Sequence, residues 1–445
     1  MSRPLNVVIV GAGIGGLAAA VAISRAVKPT PKITILEAAK ELSEIGAGIQ
    51  VAPNMTRVLV DRLGLGDAMA QHGVVPRYVR QLRWQDSTEL TRFNLNGDDG
   101  DDRCMRAFGH RYYYLHRCDL QSMLLTRATE LGAEIVTSAV AVHYEHTTGG
   151  NEDGEKESVT CVDGRTFTAD VVIAADGARS RLSAFVLGAR VPVTPTGDSA
   201  YRATLPREAV LDDPDLASLG FENGAVVWLG PGAHVIGYLV RGGSVFNMVI
   251  LVPDCPGQVN EETWKLKGDP EQLRLHFEGW DWRLRKLLSK IDVTYLWNLR
   301  DRPMLERWLA PGTEEDGGNL VLLGDAAHPM LPYAGQGAAS AAEDAVALAE
   351  CLAHATNKAW PLRKALTIYQ HVRRPRTDSM RMAGQLNREH FHMEDGPGQQ
   401  ERDRKMNEAS DSQKQPSQLN DPEKLQALYG YDIYAEIRRA LEEAS

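Results

Sequence analysis

Six residues near the N-terminus, Gly11-Ala12-Gly13-Ile14-Gly15-Gly16, limit what this chain can fold into more than any others. They follow an apolar run and precede an Ala-rich stretch. The spacing therefore predicts a buried strand over 7–10, a glycine turn, and a helix over 15–26. Each glycine has its own reason: Gly11 permits the tight turn, Gly13 lets backbone approach a pyrophosphate, and Gly16 lets helix and strand pack closely. The helix start adds free N–H groups and the positive end of a dipole. A second strand over 32–37 ends on Glu37, about 20 residues past the motif, where a carboxylate bonds ribose hydroxyls. Turn, helix and acid together predict a dinucleotide site.

The same region carries no charge from Leu5 to Ser24, which raises a signal peptide or a membrane span as an alternative. Four glycines inside the stretch argue against a stable apolar helix, and a span needs ~20 mostly apolar residues. A soluble, cytoplasmic protein without a membrane span is expected. Lys plus Arg number 49 against 59 Asp plus Glu, a net charge of −10, which disfavours a nucleic-acid partner. Cys104, Cys118, Cys161, Cys255 and Cys351 are odd in number and form no CxxC, so neither a disulfide framework nor a metal site is expected.

Alternating β and α patterns predict a parallel sheet with crossover helices. Helices are expected over 54–63 and 118–131, a Gly/Asp loop over 98–103, a polar hairpin tip over 147–158, and a strand over 169–175. From 183 to 300 the apolar runs are short, β-branched and separated by Gly/Pro turns, the texture of antiparallel sheet. Parallel texture returns at 320–324, before a long Ala-rich helix over 337–356. The expected fold class is α/β: a Rossmann-like domain of residues 1–75, 106–182 and 300–393, with an inserted mixed/antiparallel β-sheet substrate domain of 76–105 and 183–299. Residues 394–445 are expected as a polar strap over 394–421 and a C-terminal helix over 425–441.

Two later segments extend the nucleotide reading. Ala174-Ala175-Asp176-Gly177-Ala178-Arg179-Ser180 follows a strand. Gly324-Asp325-Ala326-Ala327-His328-Pro329-Met330-Leu331-Pro332-Tyr333-Ala334-Gly335-Gln336-Gly337-Ala338 runs strand, loop, helix. Asp325 ends a buried strand, where a carboxylate needs hydroxyl or N–H partners, and the Gly335–Gly337 turn opens a helix whose free N–H groups can face an electron-rich ring. An ordinary strand-to-helix connection with a capping Asp is the plain reading of that segment alone. Together the three segments resemble the fingerprints of the single-component FAD-dependent aromatic hydroxylases, the group that includes p-hydroxybenzoate and salicylate hydroxylases. The similarity extends to Glu44-Ile45-Gly46-Ala47-Gly48-Ile49-Gln50 with Pro53-Asn54, to Leu115-His116-Arg117-Cys118-Asp119-Leu120, and to Arg373-Arg374-Pro375-Arg376.

This resemblance implies an FAD-dependent monooxygenase of the salicylate-hydroxylase-like branch. Such an enzyme uses NAD(P)H and O2 to hydroxylate a phenolic substrate through a flavin C4a-hydroperoxide. It places Gly11, Gly13, Gly16 and Glu37 at the adenosine half of FAD, Gly48 near the flavin, and Arg117 at the phosphate or ribityl region. Asp325 binds the ribityl or pyrophosphate part, and Gly337 and Ala338 face the isoalloxazine. Asp176 and Gly177 belong to a segment serving both FAD and the nicotinamide donor. The chain departs from the family there, with Ala174 in place of Gly and Ser183 where Arg often occurs; Arg179 or Arg181 is the candidate substitute.

The hydroperoxide oxygen is electrophilic, so the site must stabilise a phenolate with a nearby cation and exclude water. Family position assigns Arg202 to phenolate or carboxylate anchoring and Tyr238 to a hydrogen bond with substrate. Read from residues alone, Arg202 is a strand-edge ion-pair partner and Tyr238 is core packing. His328 either braces the flavin loop or acts in acid–base chemistry, while His110, His116 and His234 read as structural. Arg283, Arg285, Lys286 and Lys290 form a basic helix face, solvated or steering an anion. Tyr112, Tyr113 and Tyr114 belong to a strand beside the substrate domain. Alternative functions are a dearomatising or indole-oxidising monooxygenase, a flavin oxidase or dehydrogenase, and a binding protein that uses the strap. The sequence leaves open NADH or NADPH, and monomer or homodimer.

Overall fold

The first apolar run folds as the middle strand of a parallel five-stranded sheet, ordered Leu320–Leu322, Val171–Ala174, Asn6–Val10, Lys32–Leu36 and Glu134–Val136. Val8 is registered between Val172 and Thr34, and all four residues of the Val171–Ala174 strand are buried. Burial on both faces is why these strands read as continuous apolar runs. This computed structural model describes residues 3–42, 47–96, 102–147, 156–254, 266–314, 317–411 and 422–445. Glu44, Ile45, Gly46, Cys255 and most of the 98–103 and 147–158 segments lie outside the described residues.

Ala-rich composition lets two helices approach closely: Ile14–Ala26 packs along Gly337–Lys358 over one face of the sheet. Their N-termini point into the same space, and that convergence positions the site.

The second sheet has eight strands, ordered Leu266–Gly268, Thr294–Asp301, Thr194–Pro206, Val245–Pro253, Ala233–Val240, Gly224–Gly230, Tyr78–Arg83 and Glu89–Asn94. Its pairings are antiparallel except that Gly224–Gly230 runs parallel to Tyr78–Arg83, so the sheet is mixed. Strand alternation sends Tyr201, Val235, Met248 and Ile250 to one face, against Leu284 and Leu287 of the helix Trp282–Ser289. Residues at the intervening positions face the first sheet across a cavity. The basic residues of the Trp282–Ser289 region lie on the far side from that cavity. Lys286 bonds Asp213 at 2.7 Å and Asp215 at 2.6 Å, Lys290 pairs with Asp213, and Arg283 pairs with Asp281, so these charges are neutralised locally.

Three local features differ from expectation. The helix expected over 54–63 is α-helical only over Pro53–Arg57 and continues as a π-turn, Val58–Arg62. Residues 397–411, expected as part of a strap, form a helix. Its polar composition conceals an anchored face: Arg402, Asp403 and Met406 are buried, Asp403 pairs with Arg83, and Arg402 donates to the His390 carbonyl. The terminal helix is two, Pro422–Tyr429 and Ile433–Glu443, separated at Gly430, with Asp432 capping the second. A 30-residue helix, Leu362–Phe391, runs through Pro375. Among the described residues no helix is long and apolar enough to cross a membrane, and no cluster of potential metal ligands occurs.

Candidate flavin and substrate site

A cavity of about 750 Å³ lies between the two sheets. Gly13, Gly48, Arg117, Arg202, Tyr238, Asp325, Gly337 and Ala338 line it; Gly11, Gly16, Glu37 and Asp176 are not among its lining residues. The glycine turn separates these roles cleanly. Gly11 has φ +107°, and a Cβ there would lie 2.3 Å from the Ala175 carbonyl oxygen. A Cβ on Gly16 would lie 2.0 Å from the Gly11 carbonyl oxygen, whereas one on Gly13 would meet nothing within 4 Å. Two glycines are thus needed by the fold, and Gly13 opens onto empty space at the helix start. The Glu37 carboxylate accepts N–H bonds from Ala12 at 2.9 Å and Ala39 at 2.8 Å, fastening the turn to the next strand. Gln121, which sequence reading passed over, donates to the Ala12 carbonyl at 2.9 Å.

Asp325 projects into the cavity while protein encloses it. Enclosure raises its carboxyl from the ordinary range, and His328, Arg117 and Arg302 oppose that rise. The loop carrying it rests on a buried polar cluster. Asp344 accepts from the Gly324 N–H at 3.0 Å, from His328 Nε2 at 2.6 Å and from Arg373 Nε at 2.7 Å. Burial would raise the Asp344 carboxyl, but His328 and Arg373 outweigh it and hold it at about 2. Arg373 also pairs with Glu343 at 2.9 Å, and Asn54 bridges Glu343 and Gln336. His328 therefore braces the loop from behind and takes no part in the cavity wall. The Arg373–Arg376 similarity noted in the sequence has its physical basis here.

The Asp176 carboxylate accepts from the Arg181 N–H at 2.8 Å, and its Oδ1 has no protein partner. Beside it, Ser183 is buried and bonds Ser180. Arg302 reaches this segment from another strand end. It donates to the Ala178 carbonyl at 3.1 Å and the Asp325 carbonyl at 3.3 Å, joining two of the sequence fingerprints. Nothing local in the sequence marked Arg302, because its partners are carbonyl groups distant in the chain.

At the other end of the cavity Tyr238 stacks on Tyr114 with ring centroids 4.3 Å apart. Tyr238 presses on Gly48, where a Cβ would lie 2.6 Å from Tyr238 Cε2, and the Gly48 N–H donates to Asn247 Oδ1 at 2.6 Å. Burial raises the Tyr238 phenol and Arg202 opposes this, so Tyr238 stays a neutral donor at neutral pH. Arg202 sits over the Trp297 ring at 5.2 Å. Among the described residues no carboxylate pairs with it, and its Nε has no hydrogen-bond partner. This is not the surface ion pair that the residue alone suggested. Tyr112 donates to Gln50 Oε1 at 2.6 Å and reaches the wall, a placement that no local sequence pattern signals.

These residues fit FAD. A helix N-terminus opens at Gly13, a carboxylate stands free in the cavity at Asp325, and a second helix start lies at Gly337. Anion, sugar hydroxyls and flat ring each meet suitable groups along one cavity.

Comparison with known proteins agrees. The chain matches the FAD binding domain family over residues 4–216 and 306–383. It is 34% identical to the FAD-dependent monooxygenase OpS4 of Beauveria bassiana (strain ARSEF 2860), covering 97% of this chain and 96% of that one. It is 32% identical to the 3-amino-4-hydroxybenzoate 2-monooxygenase PtnB3 of Streptomyces platensis, covering 91% and 92%. The structure of a salicylate hydroxylase substrate complex superposes with a TM-score of 0.77 at 24% identity, over 98% of each chain, and so shares the fold. The α/β fold, the flavin cofactor and the two-segment match converge: this chain belongs to the family of FAD-dependent aromatic monooxygenases.

Proposed function

We propose that the protein hydroxylates a phenolic, acid-bearing ring, with NAD(P)H as electron donor and O2 as oxygen source. Bound FAD supplies the activation of oxygen at the expense of the nicotinamide. The chain's own residues supply everything else. The N–H groups at Gly13 hold the pyrophosphate, and Glu37 offers the ribose the lone pairs left over from Ala12 and Ala39. Asp325 and Arg117 hold the sugar-alcohol and phosphate region, and the Gly337–Ala338 backbone meets the ring. Asp176, through the turn it braces at Arg181, holds Gly177 against FAD or the nicotinamide donor. Arg202 pairs with the phenolate or carboxylate of substrate and lowers its pKa, making the ring electron-rich. Tyr238 donates to the same oxygen and fixes the ring's orientation. Apolar walls, Val249 and Ile236 among them, keep water out.

The observation that carries this reading is the uncompensated Arg202 guanidinium facing the chamber beside Tyr238. A half-buried cation without a carboxylate invites an anion. In the test, salicylate and 3-amino-4-hydroxybenzoate are offered to the yellow holoenzyme under labelled dioxygen. Stimulated NAD(P)H oxidation with one labelled atom in product is expected. Arg202→Gln should retain flavin and lose roughly a hundredfold in kcat/KM, the scale of a lost charged hydrogen bond. Oxidation without label in product would make the protein an oxidase or dehydrogenase, and undiminished turnover in Arg202→Gln would end the anchoring role.

A further inference from the structure

The strand registers of the eight-stranded sheet line up one residue from each of six neighbouring strands. Arg202 pairs with Val249, Val249 with Ile236, Ile236 with Val227, Val227 with Gln81, and Gln81 with Thr91. All six face the cavity. The row is thus polar at both ends and apolar between them. Its first end is the Arg202 cation. At its other end, Gln81 and Thr91 are each 3% exposed, and neither Gln81 Oε1 nor Thr91 Oγ1 has a hydrogen-bond partner.

Two adjacent unpartnered polar side chains in an apolar wall cost stability relative to satisfied ones. Their neighbours offer nothing: Val227 joins Leu90, Leu229, Phe391 and Met406 in one apolar cluster, with Val79 and Ile236 packed against it. A valine would fill the Thr91 site with the same shape and no such cost. Strands stand ~4.8 Å apart, so Gln81 lies four steps, roughly 19 Å along the sheet, from Arg202. A single phenolic ring cannot span that distance.

We propose that Gln81 and Thr91 form a second polar subsite, which binds a hydroxyl at the far end of an elongated substrate. The phenolic head sits at Arg202, an apolar middle lies on Val249, Ile236 and Val227, and the tail hydroxyl exchanges hydrogen bonds with Gln81 and Thr91. This rests on the reading of Arg202 as the anchor for the head. The chamber therefore selects for length and for tail polarity as well as for the ring.

The test uses holoenzyme and two synthetic phenols that differ only in the tail. Each carries a linear chain of about eight carbons, long enough with the ring to cover much of the roughly 19 Å span, ending in hydroxyl or in methyl. Binding is read from the shift in flavin absorbance on titration. The hydroxyl-ended compound should bind about tenfold more tightly to the wild type, the usual scale for a satisfied buried hydrogen bond. In Gln81→Met and Thr91→Val that ratio should fall toward one. Thermal melting of the ligand-free variants should not fall, because no protein hydrogen bond is lost. A ratio near one in the wild type, or an unchanged ratio in both variants, overturns the proposal and leaves the pair to an ordered water. A drop in melting temperature in both variants assigns it a structural role and overturns it equally. Unsubstituted phenol titrated into Arg202→Gln tests the anchor separately: intact phenol binding there refutes the head reading, while the tail ratio remains measurable.

Discussion

Tyr333 donates its hydroxyl to the carboxylate of Asp198, which bonds the loop after the Leu320–Leu322 strand directly to the substrate-facing sheet. Arg388, near the end of the 30-residue helix, grips the same carboxylate through two nitrogens, one at 2.9 Å. Three elements from separate parts of the chain meet on one buried side chain.

Replacing Asp198 with Ala should therefore loosen the flavin loop and the helix end together. The loss is expected to be about 1–3 kcal/mol, short of a fully buried pair because the Arg388 side chain is 38% exposed and partly screened. Differential scanning calorimetry, with flavin fluorescence as a second reporter, should show both transitions lowered. Asp198→Asn, which keeps an acceptor, should lose less. An unchanged melting temperature in the alanine variant would show that the clasp contributes nothing.

Gly13→Val and Gly16→Val should fail in different ways. A side chain at Gly16 collides with the Gly11 carbonyl, so that variant should fold poorly and yield little protein. At Gly13 there is room, so the variant should fold yet lose at least about tenfold in FAD affinity, as its side chain occupies the space in front of the helix N–H groups. Yield and far-ultraviolet circular dichroism report the first effect, and the absorbance ratio at 450 and 280 nm, about constant in a full holoenzyme, reports the second. A yellow Gly13→Val protein would remove the turn from the cofactor site.

Stability should decline as pH falls from 6.5 toward 4. Burial lowers His390 and His392 to about 4 against an ordinary 6.5, and burial with the neighbouring His392 lowers His234 as well. For His390, Arg402 adds to the lowering and Asp403 opposes it; for His392, Asp198 opposes it and Arg388 adds to it. Across that window the unfolded chain binds protons that the folded chain refuses, so protonation favours unfolding. The effect is absent above about 6.5. Melting temperature against pH should slope upward through the window, and a His390→Gln, His392→Gln double variant should slope less. Parallel slopes would mean that other groups govern acid lability.

Much of this site was legible because its chemistry needs glycine or backbone N–H groups at fixed spacing. Gly11, Gly13 and Gly16 could be assigned distinct duties from the turn alone, and the structure distributes them in that way. The second sheet was readable as short β-branched runs. Its registers were not, since pairing Gln81 with Val227 joins residues far apart in the chain, and the row from Arg202 to Thr91 exists only once six strands are aligned. The helix at 397–411 was hidden for a related reason. Its buried face is made of Arg402 and Asp403, which pair with each other, and of a single apolar residue, Met406, so burial there left almost no apolar signature. Arg302 and Asp198 escaped notice because their partners are distant carbonyl groups and side chains.

The helix Leu362–Phe391 holds Asp344 through Arg373 and Asp198 through Arg388. Those two grips are fifteen residues apart, roughly 22 Å of helix at 1.5 Å per residue. The helix is a strut between the Gly337–Lys358 helix on one side of the cavity and the eight-stranded sheet on the other. One rung is missing beside its first grip, because Pro375 has no N–H to give. Bending is cheapest at such a place. A small tilt there, where the strut is clamped to Asp344, becomes its largest displacement at Phe391, in the cavity wall.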